Sequence, residues 1–351
     1  MSKDKLTLII TGAGGWLGKS LVDEIRKEDV LNKFQKVILC THSPKDLKPK
    51  YISENFKFKK TNKFEWIFGD LKSEFFYKNL NKKLSSNEKI SVIYAASLIH
   101  AKFSSDFFRT NLDSLKIFTE NLQKYQLSKF LYISSNSPFG FNNNKERFNE
   151  SSIYNPIGNY GKSKKKAELF LLSKFNKNTL KIIRAPWFHG NFMPERQKLF
   201  LKKSASGSFP IIFPGTNKRS IVNTKDLAIA SINLITRNSK KVIYWVCEEK
   251  PISMKEFIYL IQDAARNLEI KKGGRKKYNL FFLPPLTSTI FCFIDRLLQK
   301  IGIYSKIIHV IGELGMNIEA NSELYRNEFK DHQFINIYES IHKEIEEAFL
   351  N

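Results

Sequence analysis

Along the N-terminal half of the chain, apolar residues gather in short runs. Each run is followed by a stretch in which they recur every three or four positions. The runs are LTLII (6–10), KVILC (36–40), EWIFGD (65–70), ISVIYAAS (90–97), KFLYISS (129–135) and LKIIRAP (180–186). KSLVDEIRKE (19–28), NLDSLKIFTENLQKY (111–125) and NYGKSKKKAELFLLSKF (159–175) have helical spacing. Near-continuous apolar strands suit a parallel sheet covered on both faces. The pattern predicts an α/β fold with a doubly wound parallel sheet made of successive βαβ units.

Beyond Pro186 the pattern loosens. SIVNTKDLAIASINLI (220–235) reads as a short strand and a helix capped by Thr224 or Asp226, and Tyr244 to Cys247 as a return to the sheet. Residues 251–351 are mostly helical in pattern. This divides the chain into a nucleotide-binding part, 1–189, and a smaller, mostly helical substrate-binding part, 190–351. The two are interleaved through about 220–247.

The first run ends in TGAGGWLG (11–18). Its glycines miss the G-x-G-x-x-G register but fit G-x-x-G-x-x-G on Gly12, Gly15 and Gly18. Such glycines let backbone approach a pyrophosphate while a helix N-terminus faces it. At the end of the second strand an NAD enzyme usually has an acidic residue for the ribose hydroxyls. Here Cys40-Thr41-His42-Ser43-Pro44-Lys45 has none. That leans towards NADP over NAD, with Ser43 and Lys45 as candidates for the 2′-phosphate. Small residues after the fourth strand, Ala95 and Ala96, leave room for a cofactor.

Tyr160 and Lys164 lie four apart on one predicted helix face. A lysine cation beside a phenol favours phenolate, which can take an alcohol proton while hydride leaves the same carbon. Tyr125 and Lys129 have the same spacing but straddle a loop before a strand. Tyr160 is selected because it follows a strand ending in Ser134-Ser135, whose hydroxyl can hold the substrate oxygen.

In this order the motifs resemble the extended short-chain dehydrogenase/reductase family, in its sugar-epimerase-like branch. They are TGAGGWLG, FGDL (68–71), YAAS (94–97), Asn111 in RTNLDSL, YISSNSPFG (132–140), YGKSK (160–164), IIRAPWFHG (182–190) and RSIVNTKDLAIA (219–230). The resemblance implies a Rossmann sheet and a catalytic set of Ser135, Tyr160 and Lys164. It also implies cofactor contacts from Gly12, Gly15, Trp16, Leu17, Gly18, Asp70, Leu71, Ala95, Ala96, Asn111 and Pro186, besides Tyr160 and Lys164. Ser135, Trp187 and Arg219 would touch substrate, Arg219 at the diphosphate of a nucleotide sugar. A homodimer through two helices per subunit is implied too. Three departures stand out. Asn136-Ser137 replaces the Asp-Glu pair of nucleotide-sugar dehydratases. No cysteine stands in that loop, unlike in epimerase-reductases. Trp187 stands where the family has a substrate-binding asparagine. His189 falls where many members have tyrosine.

The implied activity is NAD(P)-dependent oxidation, reduction or epimerisation at one carbon of a nucleotide-diphosphate sugar, in surface-polysaccharide synthesis. The alternative is a 3β-hydroxysteroid-dehydrogenase-like or flavonol-reductase-like enzyme on an apolar alcohol or ketone, suggested by Trp187 and LFFLPPLTSTIFCFI (280–294).

The net charge is +24. No nucleic-acid motif accompanies it, so scattered lysines on solvated faces account for most of it. Such a field still draws small anions. KKGGRKK (271–277) followed by the apolar 280–294 stretch has the composition of a lipid-surface contact across 271–298. An ordinary basic loop and a buried helix, both satisfied within a globular fold, are the preferred reading of the two segments. The stretch is shorter than the roughly 18–20 residues of a membrane span. Three scattered cysteines provide neither a disulfide framework nor a zinc site, which suits a reducing cytoplasm.

Overall fold

The computed structural model describes residues 6–44, 63–142, 146–270 and 279–350. Lys45 and the basic run 271–277 lie outside the described residues.

Strands β1 (Thr7–Thr11), β2 (Lys36–Thr41), β3 (Phe64–Phe68), β4 (Lys89–Tyr94), β5 (Gln126–Ser135) and β6 (Leu180–Ala185) match the apolar runs. With β11 (Ile243–Trp245) they form, among the described residues, a seven-stranded sheet in the order β11-β6-β5-β4-β1-β2-β3. Every pairing in it is parallel. The strand order reverses between β1 and β4, where doubly wound sheets open a crevice at their C-terminal edge.

Alternate strand side chains feed two cores. Leu8, Ile10, Leu39 and Ile183 meet helix α1 (Trp16–Ile25) on one face. On the other, Ile9, Ile38, Val92 and Ile182 meet α2 (Glu74–Lys83), α3 (Ser114–Asn121) and α4 (Asn159–Lys174). Helix α2 was not apparent in the sequence pattern; Phe76, Tyr77 and Leu80 bury its apolar side.

After β6 the chain runs through β7 (Trp187–His189), α5 (Glu195–Ala205), β8 (Pro210–Ile212), β9 (Lys218–Arg219) and β10 (Ile221–Asn223). Helix α6 (Thr224–Thr236) then packs against α1. Its cap is neither Thr224 nor Asp226. The Asn223 side chain accepts from the Lys225 amide. Thr224 already has helical geometry, and the Asp226 carboxylate receives the Ile335 amide and His332. Asparagine just before the first helical turn satisfies an orphan N–H as well as either alternative would.

The C-terminal part adds β12 (Ile252–Ser253), α7 (Met254–Ile270), β13 (Phe281–Leu283), α8 (Thr287–Lys300), α9 (Lys306–Leu314) and α10 (Ile337–Leu350). A third core joins α5, α7 and α10 through Leu201, Phe257, Ile261 and Ile345. The 280–294 stretch, read as one apolar segment, divides at Pro284-Pro285 into strand β13 and the start of α8.

Candidate active site

The glycine turn is built for close approach. Gly12 has φ +71°, and a Cβ there would stand 2.8 Å from the Ala96 amide nitrogen. A Cβ on Gly18 would stand 2.1 Å from the Gly12 carbonyl oxygen, so α1 can start only against a bare residue. Helix α1 begins at Trp16 with Gly15 as its cap and no side chain satisfying its first amides. An uncapped N-terminus at the sheet's switch point, behind a turn of three glycines and one alanine, fits a dinucleotide pyrophosphate. The Trp16 indole donates to the Asn191 carbonyl at 2.8 Å, tying this turn to the C-terminal part. Ala96 donates its amide to Thr11 Oγ1 at 3.2 Å, drawing the β4 edge over the turn.

Tyr160, Ser135 and Lys164 meet at the same edge. Ser135 ends β5 and Tyr160 opens α4, and the phenol shares hydrogen bonds with Ser135 and Ser97. Phe107 flanks the phenol ring at 5.9 Å between centroids. Lys164 is buried, donates to the Ile133 carbonyl at 2.8 Å and lies 4.7 Å from the centre of the Tyr132 ring. Burial pushes its ammonium down to about 7, against the pull of Glu168. The phenol is not lowered as the sequence predicts. Burial pushes Tyr160 up, outweighing its hydrogen bonds from Ser135 and Ser97. In this state the phenol holds its proton. Tyr125 and Lys129, the competing pair, bond Asn81 and the Arg237 carbonyl respectively.

A buried polar network fixes α4 on the sheet. Glu168 receives Arg184 at 2.9 Å, Tyr154 at 2.7 Å and the Ser134 hydroxyl. Arg184 also donates to the Glu150 carbonyl at 2.9 Å. Glu168 stands one helical turn beyond Lys164, and although Ser134 and Arg184 fall within recognised motifs, nothing in the sequence paired them with it.

Asn111 spends its amide inside the protein. It donates to the Leu98 carbonyl at 3.0 Å and to Ser163 at 3.1 Å, and accepts the Leu98 amide at 2.7 Å. It links the loop after β4 to the helix of Tyr160, so its support for a cofactor is through that loop. Asp70 and Leu71 follow β3 in a turn where Asp70 accepts the Lys72 amide at 2.9 Å. Ser43 lies just past β2, half-buried, and Pro186 is buried between β6 and β7.

One wall of the pocket comes from a region the motifs do not reach. Tyr160 lines a cleft with Asn136, Ser137, Gly158, His309 and Glu313. His309 donates Nδ1–H to Asp295 at 2.9 Å, and its Nε2 lies 3.5 Å from Glu313. Burial opposes charge on His309, but the Glu313 and Asp295 carboxylates outweigh it and raise the imidazole above its ordinary value. Gln299 donates to Asp295 at 2.8 Å and accepts the Asn159 amide at 2.6 Å, so α8 grips the start of α4. His309 and Glu313 four apart on a helix were the available signal, with nothing in the pattern to aim them.

Arg219 stands behind this wall. It donates to the Glu313 carbonyl and lies 5.9 Å from the Trp187 ring centre, while its buried Nε has no partner. Trp187 packs edge-on against Phe200 at 4.9 Å and Phe257 at 5.6 Å. His189 sits in the C-terminal core, 2.9 Å from buried Glu344.

The model of the NAD dependent epimerase/dehydratase family matches residues 8–247. The "uncharacterized protein y4nL" of Sinorhizobium fredii is 30% identical over 319 residues, covering 90% of this chain and 87% of that protein. A putative UDP-glucose 4-epimerase of Methanocaldococcus jannaschii is 24% identical, over 73% of this chain and 81% of the relative. Among solved structures, dTDP-glucose 4,6-dehydratase of Bacillus anthracis in complex with NAD superposes with a TM-score of 0.71 at 15% identity. It covers 99% of this chain and 97% of that one. UDP-glucuronic acid 4-epimerase of Bacillus cereus, in complex with UDP-glucuronic acid and NAD, gives 0.69 at 15% identity, over 98% and 100%. Family model, fold and site motifs agree: the chain belongs to the NAD-dependent epimerase/dehydratase family, enzymes of the extended short-chain dehydrogenase/reductase type.

Proposed function

We propose that this protein is an NAD(P)-dependent epimerase or oxidoreductase acting on a hydroxyl or keto carbon of a nucleotide-diphosphate sugar. The carrying observation is the convergence of Tyr160, Ser135 and Lys164 beside the glycine turn at the sheet's switch point. When bound, the dinucleotide supplies a hydride acceptor and donor. Gly12, Gly15 and the amides of Trp16, Leu17 and Gly18 would hold its pyrophosphate. Asp70 and Leu71 would meet the adenine, and Ala95, Ala96 and Pro186 would line its bed. Lys164 would reach the ribose.

Tyr160 works at the substrate oxygen, which the Ser135 hydroxyl steadies. With its proton held by burial, the phenol is ready to donate to a carbonyl oxygen. In the opposite direction the phenol would act as the base, with the Lys164 ammonium favouring its deprotonated form. The polar wall of Asn136, Ser137, His309 and Glu313 suits a sugar's hydroxyls. Phe141 and Ile157 line the cleft too, but Trp187 is engaged with phenylalanines and the exposed Ile290, Phe293 and Leu297 of α8 lie outside the lining, which supports a sugar over an apolar alcohol. Arg219 would serve the diphosphate. Neighbours of the same fold hold NAD with a UDP-sugar. The product would feed surface-polysaccharide synthesis. The half-exposed Leu169 and Leu172 on α4 support a homodimer through α3 and α4.

The absence of a carboxylate at 41–44 supports NADP over NAD. The test is purified protein with either cofactor against UDP-, dTDP- and GDP-sugars and a steroid alcohol, reading reduced-cofactor absorbance and epimer formation. A nucleotide sugar should turn over. Turnover confined to the steroid alcohol overturns the reading, and tighter binding of NAD than NADP overturns the cofactor preference.

A further inference from the structure

Helix α8 is inside out. Its buried positions are Ser288, Cys292, Asp295 and Gln299, while Ile290, Phe293 and Leu297 are exposed. With Leu286 before and Ile301 after, the exposed residues recur at spacings of four and three. They form one stripe along the helix. Leu286 is 68% exposed, Phe293 62% and Ile301 71%. Ile307, at the head of α9, adds another 71% exposed side chain. Soluble surfaces rarely leave so continuous a row of large apolar groups in water.

The helix cannot roll to hide the stripe, because its inner face is committed. Ser288 donates to the Ile311 carbonyl at 2.9 Å and accepts the Gly315 amide at 2.8 Å. Asp295 holds His309, and Gln299 holds the amide beside Tyr160. Exposure of the stripe is therefore enforced by bonds that the pocket needs.

Charge identifies what the stripe meets. Between 286 and 314 the basic residues Arg296, Lys300 and Lys306 are exposed. The acids of that segment are elsewhere: Asp295 is buried and Glu313 lines the cleft. A second copy on the same face would oppose these cations to themselves. An anionic lipid surface matches both the apolar stripe and the basic flank. Among the described residues no helix is long and apolar enough to cross a membrane, so contact is along the surface.

We propose that the outer face of α8 rests in the headgroup layer of an anionic bilayer. Ile290, Phe293 and Leu297 insert, and Arg296, Lys300 and Lys306 meet lipid phosphates. The inner face of α8 holds α9, whose His309 and Glu313 form one wall of the Tyr160 cleft, so the chemistry takes place one helix away from the membrane contact. The inference does not depend on which sugar the site accepts.

The test is flotation of the full chain with phosphatidylcholine vesicles, with and without roughly a third phosphatidylglycerol. The protein should float with the anionic vesicles at low salt. The triple variant Ile290→Ser/Phe293→Ser/Leu297→Ser should bind at least about tenfold less, and Arg296→Gln/Lys300→Gln should also bind less. If the triple variant has no melting transition, the charge variant decides. No flotation, equal flotation on neutral vesicles, or undiminished flotation of both variants overturns the proposal. So does a triple variant that turns a dimer into a monomer without vesicles, since the stripe would then be a self-association face.

Discussion

Helices α4 and α8 meet where Gln299 accepts the Asn159 amide, and they bury polar residues in different ways. On α4 the inner face mixes Ala167 and Leu171 with Ser163, Lys164 and Glu168, and lysines such as Lys162 and Lys166 point outwards. On α8 the buried positions are Ser288, Cys292, Asp295 and Gln299, while Ile290, Phe293 and Leu297 are exposed. Burying a polar group costs unless a partner receives it, and both helices supply partners for most of theirs, Asp295 Oδ1 excepted. Lys164 has the Ile133 carbonyl and Glu168 has Arg184; Asp295 has His309 and Gln299. The difference lies in what the outer face is left to meet. For α4 most of that is water. For α8 it is a surface that accepts isoleucine, phenylalanine and leucine. Amphipathicity tells which residues share a face, while the side that is buried follows from the partners waiting there.

The strongest way to sharpen this contrast is at Tyr160. Tyr160→Phe should lower turnover by about 10²–10⁴-fold while cofactor binding, read by calorimetry, stays nearly unchanged. Retained turnover would remove α4 from the chemistry. Next is the network that seats α4. Glu168→Ala leaves Arg184 buried without its carboxylate and should cost about 3–5 kcal/mol in chemical denaturation; a loss under about 1 kcal/mol would mean that the helix is seated by its apolar residues alone.

A smaller effect is expected at Asp295. Glu313 and Asp295 raise His309 against the pull of burial, so the folded protein holds this proton more tightly than the unfolded chain. That contribution is complete below the ordinary histidine value of 6.5 and drains away as pH rises through the raised one. Asp295→Asn should therefore destabilise most at acid pH and flatten this part of the profile. Melting temperatures of both proteins across the range from acid to alkaline pH decide it, and parallel profiles would mean that Asp295 does not hold the charge. The least effect on folding belongs to the outer stripe. Ile290→Ser or Phe293→Ser should change stability by no more than about 0.5 kcal/mol, as exposed positions do. A larger loss in vesicle-free buffer would mean that the stripe is covered within the protein itself.

Much of the first 190 residues could be read from the chain because strands buried on both faces are apolar throughout. LTLII, KVILC and LKIIRAP carry that mark and stand in the sheet. The motif residues were legible for a different reason: turn geometry at Gly12 and Gly18 admits no side chain, and helical spacing alone aligns Tyr160 with Lys164. What misled was electrostatics. A lysine four residues from a tyrosine suggests a lowered phenol, but spacing says nothing of burial, and burial prevails at both groups. Asn223 as a cap and the Arg184–Glu168 pair were likewise hidden, because each depends on which group stands nearest in space.

By itself the sequence determined the parallel sheet, the glycine turn at its edge and the order of Ser135, Tyr160 and Lys164, since local periodicity and backbone sterics encode all three. Only the tertiary structure decided that His309 and Glu313, more than a hundred positions further on, form the cleft's other wall. It alone decided that α8 turns its polar face inwards. Periodicity has no sign: a helix with one apolar face is the same string of residues whether that face is buried or exposed. Its direction is set by the groups that the folded chain sets against it, here Asn159, His309 and Gly315.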